Sequence, residues 1–129
     1  MSKEKVSTTF TYNGVSYEFD VRDADQSEAF ENAISEMEKE EKLLPKDGKI
    51  SAIIREQCNM IKRFFDMVLS EGAGTAICSE KSNISVCYDA YDHFLMLVRE
   101  QRNDIIESKS VFSKYSNRQQ RRAAEKNKK

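Results

Sequence analysis

"FTYNGVSYEF", residues 10–19, is the stretch that decides the fold class. Asn13-Gly14 is the dipeptide best suited to the two positive φ angles of a type I′ turn, whose twist matches that of the strands it joins. A two-residue turn fixes the register. Tyr12 then faces Val15, Phe10 faces Tyr17, Thr8 faces Phe19 and Val6 faces Val21 on one side, while Thr9, Thr11, Ser16, Glu18 and Asp20 share the other. One face is apolar and the other polar. Because a two-stranded ribbon is marginal in water by itself, the apolar face of this hairpin, residues 6–21, must pack on helices, on a second copy or on a partner.

The remainder of the chain reads as helices. "VRDADQSEAFENAISEMEKEEKLL" predicts a helix over about 25–43, capped by Asp23 or Asp25, with Phe30, Ala33, Ile34 and Met37 at helical spacing. Pro45 and Asp47-Gly48 break it. A second helix over about 50–70 carries the broadest apolar stripe, from Ile50, Ile53 and Ile54 through Cys58, Ile61, Phe64 and Phe65 to Val68. It is the expected core helix, with Gly72 ending it as a C′ glycine and one further turn around Thr75–Ser79. Ser82 or Asn83 caps a third long helix over about 83–108, whose Val86, Cys87, Ala90, Tyr91, Phe94, Leu97, Val98 and Ile105 share a side. Phe64, Phe65, Tyr88, Tyr91 and Phe94 recur as core aromatics do. The expected fold is α+β: a hairpin packed on a bundle of about three main helices, one domain over 1–112, followed by a basic tail over 113–129.

At 129 residues, with 33% charged and 39% hydrophobic residues, the chain suits a single soluble domain. Its N-terminus has no apolar signal region, and no run approaches the roughly 18 apolar residues that span a bilayer. The expectation is a protein that neither crosses nor binds a membrane. Cys58, Cys78 and Cys87 are odd in number and widely spaced, which suits a reducing cytoplasm. With His93 as the sole histidine and no C-x-x-C pair, no metal and no cofactor is expected. Cys87 and His93 are six apart, which points them to different helix faces and argues against a thiol nucleophile. Gly72 and Gly74 lack the strand before and the Gly-Lys-Ser/Thr after that a phosphate loop needs.

Charge is segregated. Residues 18–41 hold ten acids against Arg22 and Lys39, a net of minus eight, while residues 109–129 hold eight basic residues against Glu125, a net of plus seven. The overall balance of minus one hides both. The tail could neutralise phosphates, since arginine-rich segments often fold on RNA. The low pI of about 5.9 and the lack of an aromatic-studded basic groove disfavour nucleic acid as the main target.

Four segments taken together carry a family resemblance: "YNGVSYEFDVRDAD", "IREQCNMIKRFFDMVLSEGAGTAIC", "NISVCYDAYDHFL" and "NRQQRRAA". From about Phe10 to Ala124 the chain resembles the tail assembly chaperone-like proteins of tailed phages and prophages of Gram-positive bacteria. The resemblance implies a non-enzymatic protein of the bacterial host cytoplasm. Such a protein binds the tape-measure protein before the tail tube polymerises around it, and recruits tail tube subunits. An exposed apolar ribbon suits such a client, so Phe10, Tyr12, Tyr17 and Phe19 are the expected contacts if the sheet is exposed, with Arg118, Arg121 and Arg122 in the tail. The opposed charges also suit self-association. Two other classes stay open. A phage-encoded inhibitor of a host defence protein would use Glu36, Glu38 and Glu40 to imitate nucleic-acid phosphates, and a nucleic-acid-binding accessory protein would use the basic tail. An enzyme ranks last.

Overall fold

The computed structural model describes residues 6–107. In chain order it has strands β1 (Thr9–Tyr12) and β2 (Val15–Glu18), then helices α1 (Ala24–Leu43), α2 (Ile50–Val68), α3 (Ala73–Cys78) and α4 (Ile84–Glu107). The α+β class and the hairpin-on-helices arrangement are as the sequence predicts. Asn13 and Gly14 take φ of 52° and 79°. The ladder pairs Tyr12 with Val15, Phe10 with Tyr17, Thr11 with Ser16 and Thr9 with Glu18, and the Phe19 amide donates to the Thr8 carbonyl.

Local chemistry sets the helix ends. Asp23 is the α1 cap, its carboxylate accepting from the Gln26 amide at 3.1 Å. Leu44 leaves the helix with an extended ψ of 140°, as the residue before Pro45 must. Asn83 Oδ1 accepts from the amides of Ser85 and Val86 to start α4. The expected role of Gly72 is corrected. The second helix stops at Val68, and Gly72, at φ 89°, instead opens α3 as its N-cap. Glycine is needed there because the left-handed conformation is costly for other residues. Gly74 answers a different demand: α3 lies so close to α2 that a Cβ at this position would fall on the Lys62 backbone carbonyl. Asp66 Oδ1 holds the Gly74 amide at 2.7 Å across the same contact.

The core is a phenylalanine cluster centred on Phe94 of α4, whose ring meets those of Phe10, Phe19, Phe30, Phe64 and Phe65 at 5.0–6.2 Å between centroids. Most of these pairs are tilted or edge-to-face, the geometry that the ring quadrupoles favour. The hairpin's apolar face is therefore internal. Phe10, Phe19 and Val21 are buried, and Tyr12, Val15 and Tyr17 are half-buried against the cluster.

Two expectations about the core are corrected. Ile50 is 73% exposed because it lies at the first position of α2, beyond the residues that the other helices cover, and Tyr88 is 42% exposed rather than internal. Gln101 of α4 is completely buried. Its Nε2 donates to the Phe19 carbonyl at 2.8 Å and the Ser7 carbonyl at 2.9 Å, while Oε1 accepts from the Val21 amide at 2.8 Å. Among the described residues no buried side-chain polar atom lacks a partner.

Gln101→Leu strips partners from three backbone groups, two of them buried, with each buried orphan costing about 1–3 kcal/mol. Urea unfolding should show a loss of at least about 2 kcal/mol. Gly74→Ala should cost about 2 kcal/mol or more in the same assay, since a backbone carbonyl cannot yield to an added methyl as a flexible side chain can.

Candidate functional site

The three cysteines come together from α2, α3 and α4 although they are far apart in sequence. All are free and fully buried, and burial pushes each thiol up, Cys58 to about 11. A thiol held neutral this way is a poor nucleophile and a poor metal ligand. Among the described residues no group of three or more His, Cys, Asp or Glu could hold a metal ion. His93 is exposed while Cys87 is buried, so the two do face apart.

One polar constellation was not read from the sequence. At the tip of the hairpin the Tyr12 hydroxyl donates to Asp89 Oδ2 of α4 at 2.6 Å, and His93 Nδ1 lies 2.8 Å from the Asp89 backbone carbonyl. The rings of Tyr12 and His93 are 5.5 Å apart. The hydrogen bond to the Asp89 carboxylate, followed by partial desolvation, pushes the Tyr12 phenol up to about 12. Aspartate and histidine one helical turn apart are legible as neighbours; that Tyr12 reaches them required the docking of the hairpin. The group works as a latch on the ribbon's free end.

The expected contact residues divide. Phe10 and Phe19, 3% and 1% exposed, are withdrawn as partner contacts because the ribbon packs them onto Phe94. Tyr12 and Tyr17 keep a half-exposed edge. Arg118, Arg121 and Arg122 lie outside the described residues. Of the three acids, Glu36 pairs with Lys39 at 3.3 Å, and Glu40 takes a forked contact from Arg63 at 2.9 and 3.2 Å. Glu38 is exposed.

An apolar end of the helical bundle was also missed. Leu43 is 83% exposed at the close of α1 and Ile50 73% exposed at the opening of α2, one on each side of the connecting loop. Nearby, Ile54 and Ile84 line an open notch with Lys81, Ser82 and Asn83. The α2 seam of Ile54, Cys58, Ile61 and Phe65 thus runs from the core out into solvent at Ile50, with Lys42, Lys46 and Lys49 flanking the turn. The signal in the sequence was position: an apolar residue at the first turn after Pro45 and Gly48 has less cover than the same residue at mid-helix. No described helix is long and apolar enough to cross a membrane.

Residues 13–125 match the model of a family described as Family of unknown function (DUF6673). The chain belongs to this family. No curated protein and no solved structure matches it.

The pH dependence of the Tyr12 latch has a definite sign. A phenol whose value is raised on folding stabilises the fold fully below its ordinary value near 10, and that contribution is lost as pH climbs through about 12. Asp20 acts at the other extreme. Hydrogen bonding from the Arg22 side chain holds its carboxyl below the usual range, so its contribution is present above that range and lost as pH falls through the depressed value. NMR titration of the tyrosine rings should show Tyr12 ionising near 12, and Asp89→Asn should bring it back toward 10.

Proposed function

We propose that this protein is a non-enzymatic tail-assembly protein of a tailed bacteriophage or prophage. It acts in the bacterial cytoplasm, holding the tape-measure protein and presenting it to tail tube subunits. The segment resemblance running from about Phe10 to Ala124 supports the client, and the exposed end of the bundle supports the mode of binding. The observation that carries it is the pair Leu43 and Ile50, the two most exposed of the six large apolar side chains left in water among the described residues, standing on either side of one loop. Large apolar side chains left this exposed suit the apolar stripe of a helical client, with Lys42, Lys46 and Lys49 supplying a charged rim. Contact then lies at the helical end rather than on the hairpin face, with the half-exposed edges of Tyr12 and Tyr17 as lesser contributors.

A pull-down of the tagged full chain from phage-producing cells, read by mass spectrometry, tests this. Tape-measure protein or tail tube subunits should be recovered, and the Leu43→Glu/Ile50→Glu variant should lose at least about 80% of that recovery while keeping its helical circular dichroism, since a few buried apolar anchors dominate most interfaces. Recovery of a host nuclease without any tail protein would overturn the proposal in favour of a defence inhibitor. Undiminished recovery by the variant would remove the bundle end as the binding site.

A further inference from the structure

The outward side of α1 is covered by nothing among the described residues. Asp25, Glu28, Glu31, Glu36 and Glu38 are all exposed along it, and Leu43 stands exposed at its far end. Among the described residues, pairing relieves this charge only locally, through Lys39 and Arg63. Once the basic tail and the first five residues are set aside, residues 6–108 carry a net charge of minus nine. A compact domain with that surplus repels itself and attracts a cation-rich segment.

The chain supplies such a segment, and the fold delivers it to the right place. The last turns of α4 lie against the beginning of α1: the Arg102 guanidinium sits 5.5 Å from the Phe30 ring centroid, and Arg22, just before α1, bridges Asp20 and Asp104. The polypeptide therefore leaves α4 beside the acidic first turns of α1. Residues 108–129 follow, with a net of plus seven over 109–129 and with Val111, Phe112 and Tyr115 among the charges. Twenty-two residues can extend about 70 Å, whereas the 20-residue α1 is about 30 Å long. Reach is ample.

We propose that residues 109–129 dock in cis along the acidic outward face of α1, shielding it until a partner displaces them. The occupant is this chain's own basic segment, held by complementary charge along the helix and by apolar contact of Val111, Phe112 or Tyr115 with side chains such as Leu43. The inference stands on charge and placement and does not depend on the tail-assembly reading. Being chiefly ionic and exposed, the contact weakens with salt.

Hydrogen–deuterium exchange of the full chain at 50 mM and 500 mM NaCl tests it, against a chain ending at Ser108 and against the full-length Arg118→Glu/Arg121→Glu/Arg122→Glu variant. At low salt, amides in residues 25–43 should exchange at least about threefold faster in both altered chains than in the wild type. High salt should abolish the difference. A Glu28→Lys/Glu31→Lys/Glu38→Lys chain should match the altered chains, and combining it with the arginine reversals should restore protection. Equal exchange of α1 in all chains would overturn the proposal. So would protection that grows with protein concentration, which would place the tail on a second copy. A rise spread evenly over the hairpin and α4 would mean general destabilisation and would also count against it, with the full-length reversal variant excluding an effect of truncation itself.

Discussion

Gln101 is the point on which the two halves of this protein depend. A four-residue pair of strands has no independent stability, and its two ends reach the helices at places where the ladder has already stopped. The Gln101 amide meets the backbone there as a substitute strand would, giving an acceptor to Val21 and donors to Ser7 and Phe19. Only a side chain with both donor and acceptor at its tip can do this. Once the ribbon is held at that end and latched by Tyr12 and Asp89 at the other, Phe10 and Phe19 are committed to the ring cluster around Phe94, and that cluster joins α1, α2 and α4.

Features governed by local chemistry were legible in the sequence. Asn13-Gly14 specified the turn and therefore the register of every pair beyond it, and Asp23, Pro45 and Asn83 marked helix ends through capping or through a missing donor. Periodicity found the buried faces of α2 and α4 because burial there follows the helical repeat. What could not be read was tertiary. Ile50 and Cys58 look alike on a helical wheel, and only the extent of the neighbouring helices makes one exposed and the other dry. Gln101 was invisible because a polar residue on an apolar face carries no sign of the backbone groups that will meet it. Gly72 was read as closing a helix; it opens one instead, while Gly74 permits two helices to touch, a role that rests on what lies opposite.

The surface chemistry follows from the same economy of size. A domain this small has one core, and the hairpin and three long helices are all built around it. Its outer faces carry an apolar end at Leu43 and Ile50, an acidic side on α1, and the tyrosine edges of the ribbon. On the proposed function, these outer faces are what a polypeptide client would meet.

The buried thiols have a use of a different kind. Cys58, Cys78 and Cys87 sit where three helices converge, neutral and out of water, so that at neutral pH only about 10⁻⁴ of Cys58 is the reactive thiolate even before access is considered. The folded chain is therefore chemically silent toward thiol reagents, and any labelling proceeds through conformations in which the helices have parted. Each cysteine lies on a different helix, so the order in which they become modified is a clock of how the bundle comes undone, read without adding a probe to the molecule.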